Sequence, residues 1–481
     1  MVDVDRTNHT SLVQYLSSCI CRMVHLTHDQ IITCTYINYQ SIYIRTSFNG
    51  SITCLAPLIQ RSFSTPNMAS LVSLLLVLLF TVSLAESKTY WGDVAALKEF
   101  KNSVDAKSMT PGSCLSSWDF SFDPCDNLSS ETFTCGFRCD TIVSGSSRVT
   151  ELILDQAGYS GSLSSLSFNF PYLQTLKLSD NYFSGPLPNS LFNLTRLTSL
   201  FLSGNSFSGP VPASLGSMPV LEELLLDNNN LNGSVPTSFN RLSRLKRLEL
   251  QQNNISAELP DLTSLKNLNY LDVSDNRISG PVPSSLPGSL VQISMRNNLF
   301  QGTIPESFRN LTSLEVIDLS HNKLSGSVPS FIFTHQTLQQ LTLSFNGFTS
   351  LDSPRYSPSG LPSELISVDL SNNKIRGPLP LFMGLLPKLS ALSLENNSFF
   401  GMVPTQYVWK TVSPAGFQRL LLGGNFLFGV VPGPLMALKP GSVNVQLAGN
   451  CFTWCPGTFF FCRGREQRSL MECRKFSRVI P

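Results

Sequence analysis

Leu200 to Pro212 reads LFLSGNSFSGPVP, Leu271 to Pro283 reads LDVSDNRISGPVP, and Ile317 to Pro329 reads IDLSHNKLSGSVP. Variants of this one phrase return thirteen times between Leu152 and about Asn450. Its Asn falls at Asn181, Asn205, Asn229, Asn253, Asn276, Asn298, Asn322, Asn346, Asn373, Asn397, Asn425 and Asn450, with Ala157 in its place in the first copy. Most steps are 24 residues. A period in that range marks stacked supersecondary units that form one elongated body, since a single unit cannot bury its own apolar face.

Each position of the phrase has a physical reason. L-x-x-L-x-L alternates with period two, which predicts a short strand with leucines inward and the intervening residues outward, lining one surface. Where the chain turns off the strand, backbone donors and acceptors are buried without a ladder, and an Asn amide supplies both partners. The Gly of S-G-x-[VIL]-P suits a tight backbone, and the Pro is expected to end local pairing because it has no N–H.

The flanks differ from the repeats. Residues 1–67 share no period with them and are expected to be an unstructured extension. Residues 68–85, MASLVSLLLVLLFTVSLA, carry an apolar run too short for a comfortable membrane span and end on small residues, which reads as a signal peptide. Residues 86–147 form an N-terminal cap, with Val94, Leu97, Phe100 and Val104 at helical spacing. The repeats occupy 148–450, and 451–481 form a Cys-rich C-terminal cap and tail. Cysteines are absent from the repeats and grouped beside them: Cys114, Cys125, Cys135 and Cys139 before, Cys451, Cys455, Cys462 and Cys473 after. After a signal peptide these read as disulfide-bonded, four cysteines and hence two bridges per cap, whose pairing the sequence leaves open. No apolar run of membrane length follows Cys473, so no C-terminal membrane anchor is expected.

These residues resemble the plant-type extracellular leucine-rich-repeat proteins. The resemblance rests on Ala96-Leu97-Lys98-Glu99-Phe100-Lys101, on Leu115 to Trp118, on the cysteines to Cys139, on Arg148 to Leu154, and on the S-G-x-[VIL]-P form of the repeat. It spans about residues 88–473 and implies an α/β repeat solenoid: a right-handed superhelix with a concave parallel β-sheet and disulfide-bonded caps. The group includes receptor-kinase ectodomains, receptor-like proteins, polygalacturonase inhibitors and wall-linked proteins. The chain departs from it where Gly136-Phe137-Arg138 replaces the usual cap tryptophan motif. Gln467 to Cys473 resembles the cap of the wall-linked subgroup, yet no Ser-Pro-rich tail follows. No kinase motif is present.

Nothing points to catalysis, a cofactor or a metal. His321 and His335 are the only histidines past the signal, and no catalytic or phosphate-binding motif accompanies them. With 34 Lys and Arg against 32 Asp and Glu, and no basic cluster, nucleic acid is an unsuitable partner. The outward strand positions are the candidate contact surface. Phe201 and Leu225 are apolar on adjacent strands; Glu249, Asp272, Asp318 and Asp369 form an acidic series; Arg247, Tyr270 and Arg296 lie in neighbouring columns. Tyr356, Tyr407 and Trp409, in two longer repeats, are further candidates, the last two better suited to packing. Sequons at Asn127, Asn193, Asn232, Asn254, Asn310 and Asn396 fit a secreted glycoprotein. The resemblance implies a secreted or wall-associated recognition module for a protein, peptide or wall glycan, partnered with a receptor kinase in signalling or defence. The alternatives are an inhibitor of microbial wall-degrading enzymes and a structural wall protein.

Overall fold

Every copy of the phrase places three residues in a strand, from Glu151–Ile153 in the first to Asn444–Gln446 in the last. The central residue of each strand points inward, and the strands stack parallel with these residues in register: Leu152, Leu176, Leu200, Leu224 and onward to Val445. One sheet of fourteen strands results, thirteen from the repeats and one, Phe137–Arg138, from the N-terminal cap, paired antiparallel with the first repeat. The computed structural model describes residues 19–26, 29–38, 41–48, 51–54, 88–355 and 362–476. The expected signal peptide and Tyr356 lie outside the described residues.

The Asn of the phrase locks one coil to the next. Asn205 donates from Nδ2 to the carbonyls of Leu202 and Ser203 in its own coil, at 3.2 Å each, and to Leu178 of the preceding coil at 3.0 Å. Its Oδ1 accepts the Phe183 amide at 3.0 Å. The same pattern recurs at Asn229, Asn253, Asn322 and on to Asn425. Behind the ladder, Phe183, Phe207, Phe300, Phe348 and Phe399 fill the interior between stacked coils.

Two features differ from the sequence expectation. The segment after the ladder Asn continues pairing: Tyr182–Gly185, Ser206–Pro210 and their counterparts form further short parallel sheets down one flank. As expected, this pairing stops before the Pro that closes the phrase: Tyr182–Gly185 ends ahead of Pro188, Ser206–Pro210 ahead of Pro212 and Lys323–Val328 ahead of Pro329. On the convex side the connections are mostly 3-10 turns, such as Asn189–Asn193 and Thr237–Arg241; the longer coil near residue 405 has room for an α-helix, Thr405–Val412.

The N-terminal cap closes the first coil with the helix Trp91–Ser103, which buries Asp93, Ala96, Leu97 and Phe100. Cys114 pairs with Cys135 and Cys125 with Cys139. Phe137 is buried in this cap, packing edge-on against Trp118 at 5.2 Å and Phe133 at 5.6 Å. Gly136 must be glycine: its φ is +110°, and a Cβ there would lie 2.7 Å from the Trp118 ring. At the other end Cys451 pairs with Cys473 and Cys455 with Cys462. Arg468 of the Q-R-S motif reaches back to the penultimate coil, donating to Asn425 O at 2.9 Å and Gly424 O at 3.2 Å while lying over the Phe426 ring. Ser469 and Glu472 then form a reciprocal capping box at the start of the final helix.

Within 1–67, expected to be unstructured, Cys19–Leu26, Asp29–Asn38, Ser41–Phe48 and Ser51–Cys54 form an antiparallel meander of their own. These segments are rich in Ile, Thr and Tyr, residues that fit a pleated sheet.

One convex residue couples the fold to pH. His335 is buried and its Nε2 has no hydrogen-bond partner. Burial pushes its pKa below the ordinary 6.5, opposed by the nearby Phe308 and Leu311 backbone. The unfolded chain therefore binds the proton more readily, so the contribution of neutral His335 is complete above about pH 6.5 and is lost as pH falls through the depressed value. Urea unfolding at pH 7.5 and pH 5 should show a smaller acid-side loss in His335→Phe than in the wild type; equal losses would remove His335 from the account.

Candidate ligand-binding face

The residue beside each inward leucine faces outward, and strand register sets these residues side by side. Lys177, Phe201, Leu225, Glu249, Asp272, Ser294, Asp318, Thr342, Asp369, Ser393 and Leu421 follow one another across the concave sheet. Phe201 and Leu225 are thus direct neighbours, both half-buried. Next to them the charges are organised. Arg247 forms an ion pair with Glu249, and its guanidinium lies 4.1 Å from the Tyr270 ring centre. Gln251 Nε2 donates to the other Glu249 oxygen at 2.8 Å.

Glu249, expected as an exposed acid, is only 7% exposed beneath this arrangement. Arg247, Tyr270, Asp227 and Asp272 form the surface around it, so a ligand would meet Glu249 through its field more than by contact. Burial raises the pKa of Asp227 and of Asp272; the Ser203 hydroxyl and the Ser274 backbone and hydroxyl oppose it, and Glu249 adds to it in both cases. Burial, then Asp272 and Glu249, push the Tyr270 phenol up as well. Three acids on adjacent strands with one arginine among them make a face that gains from an added cation and an apolar group together.

The remaining predicted residues lie further along. Arg296 is exposed, one column outward. Asp318 and Asp369 flank Thr342; Asp318 Oδ1 accepts from Ser320 N and Oγ, and Asp369 Oδ1 from Ser371 N. They do not join the Arg247 cluster. Of the aromatic candidates in the longer coils, Tyr407 is fully buried with its hydroxyl on Pro380 O at 3.0 Å, whereas Trp409 points to solvent on the convex side. Sequence reasoning assigned both to packing, because the period does not show which turn of an inserted helix faces out.

Sequence reasoning also missed the column that precedes the ladder Asn. Its residues all adopt the left-handed backbone, among them Asp180, Asn228, Asp275, Asn297, Asn372, Gly204 and Gly424, which tolerate it well. His321 and Phe345 hold the same positions at φ +53° and +54°, and their rings stack at 4.2 Å. The signal was legible in the phrase, where N, D and G dominate that site and an aromatic breaks the rule.

The expected glycosylation sites fall into two groups. Asn193 and Asn310 end convex 3-10 turns, and they, Asn232 and Asn254 are exposed. Asn127 and Asn396 already use their amides, Asn127 on Asp123 O at 2.8 Å and Asn396 on Asn372 Oδ1 at 2.9 Å.

A continuous face of fourteen strands, charged and apolar by turns, thus runs along a solenoid of stacked coils. Models described as "Leucine rich repeat" match residues 219–280 and 288–348, and shorter ones 172–194 and 196–218. The matched coils are leucine-rich repeats. Receptor-like protein 54 of Arabidopsis thaliana is 32% identical over 36% of this chain and 18% of its own length. Receptor-like kinase TMK2 of the same species is 26% identical over 37% of this chain and 23% of its own. The matched stretch is thus less than a quarter of either relative. Among solved structures, the plant peptide hormone receptor RGFR1 in complex with RGF2 superposes with a TM-score of 0.51 at 29% identity, covering 62% of this chain and 51% of that one. A TDR receptor gives 0.50 at 29% identity, over 63% and 56%. No helix among the described residues is long and apolar enough to cross a membrane.

Proposed function

We propose that this chain is an extracellular recognition module, without catalysis of its own, that binds a peptide or protein segment on its concave face in cell-surface signalling or defence. The observation that carries this reading is the juxtaposition of Phe201 and Leu225 with the Arg247–Tyr270 pair above a buried Glu249 and beside Asp227 and Asp272. Such a surface suits a ligand with an apolar anchor and an adjacent basic group. A solved neighbour of the same coil type is the plant peptide hormone receptor RGFR1 in complex with RGF2, which supports the class of ligand. Four disulfides and four exposed sequons support a secreted location, where a receptor kinase is a natural partner.

The test is affinity for a partner isolated from extracellular fluid. Phe201→Ser with Leu225→Ser should weaken binding at least about tenfold, the loss of roughly 1.4 kcal/mol expected for a central apolar anchor. Unfolding in urea should change little, because both side chains are only half-buried. Unchanged affinity in the double variant would discard the face.

A further inference from the structure

The His321–Phe345 pair has no part in the site just described: it lies at least two strands beyond Tyr270 and Asp272 and one edge-column outward. A bulky residue in the left-handed region is strained, and here the turn of the repeat imposes that backbone in every copy, so an aromatic ring is a costly choice where Asn, Asp or Gly would serve. Phe345 is 49% exposed and gains little burial in return. What it offers is a flat ring, stacked at 23° on His321, at the lip of the concave sheet.

The groups beside this ring pair are chiefly acceptors. Asp318, Thr342 and Asp369 stand on three consecutive strands. Each carboxylate uses Oδ1 on the backbone of its own coil, leaving its second oxygen for a ligand. Asn297 and Asn372 occupy the ring pair's own column on either side. We infer that this is a stacking site for a neutral pyranose, as found in a β-linked glucan chain.

The chemistry matches in three respects. The axial C–H bonds of a gluco-configured ring carry partial positive charge and meet the negative face of an aromatic ring. Equatorial hydroxyls reach sideways, where the carboxylates of Asp318 and Asp369 accept; the amides of Asn297 and Asn372 are held by Asp275, Ser371 and Asn396 and fix the walls of the site. Successive strands are about 4.8 Å apart, close to the length of one pyranose, so a chain laid across the strands meets a new coil with each sugar. Asp318 and Asp369 oppose an anionic sugar.

Asn is the residue this backbone prefers, so Phe345→Asn separates stacking from folding. In titration calorimetry of the full chain, cellohexaose should bind the wild type, and Phe345→Asn should weaken it at least tenfold with a melting temperature no lower than the wild type. Phe201→Ser with Leu225→Ser should leave cellohexaose binding intact, so failure here and failure of the peptide reading are distinguishable. The inference is overturned if cellohexaose does not bind the wild type, if Phe345→Asn binds it equally well, or if hexagalacturonate binds more tightly than cellohexaose.

Discussion

Asp93→Ala is expected to destabilise the chain by about 3–5 kcal/mol, the usual cost of removing one partner from a buried ion pair. Asp93 is fully buried and accepts from Arg148 Nε at 3.0 Å, Arg148 Nη2 at 2.9 Å and the Val149 amide at 2.9 Å. The cap helix and the first repeat strand thus share one carboxylate. Arg148 is itself held between the rings of Tyr90 and Tyr172, at 4.1 and 4.3 Å, and cannot swing out to water without leaving both. The alanine would strand a buried guanidinium and a backbone N–H together. The double variant Asp93→Ala with Arg148→Met removes the stranded charge and should recover part of the loss, so urea unfolding of the two single variants and the double closes a cycle. Additive losses would show that the pair does not couple cap to coil.

Asn425→Ala should cost about 3 kcal/mol, from several buried backbone groups left without partners at about 1–3 kcal/mol each, in part relieved by relaxation. Asn425 is inaccessible and joins Leu394 O at 2.9 Å, Leu422 O at 3.0 Å, Gly423 O at 3.3 Å and the Phe399 amide at 3.1 Å. In a stack held by nearest-neighbour contacts the damage should stay near its origin. Hydrogen exchange should accelerate between about residues 394 and 454 and remain unchanged across the first four repeats. A uniform rise along the whole chain would mean that the coils unfold as one unit and that the ladder acts globally.

The repeat was readable because its cause is local: leucines every second residue, an amide at each turn, and a period that survives thirteen copies. The outward residues followed directly, since register is set by the leucines; Phe201 and Leu225 are neighbours because Leu200 and Leu224 are. What stayed hidden depends on pairs distant in sequence. Asp93 and Arg148 are 55 residues apart, and nothing in YWGDVAAL marks its Asp as buried. Glu249 looked like another outward acid until Arg247 and Gln251 folded over it. Arg468 resembled a motif letter, and only the folded cap shows that it reaches 43 residues back to Asn425 O in the penultimate coil. The flank sheets escaped notice because S-G-x-[VIL]-P reads as a turn; its Gly sits at positive φ within a paired segment, for instance Gly209 at +83°.

The most direct test of the central claim places a photo-crosslinking amino acid at position 225 on the concave face or, as a control, at position 385, where Leu385 is exposed on the convex side. After irradiation in extracellular fluid, the account predicts a discrete adduct from position 225, abolished when Phe201→Ser is added, and none from position 385. An adduct from position 385 alone would contradict it, placing recognition on the opposite side of the coil.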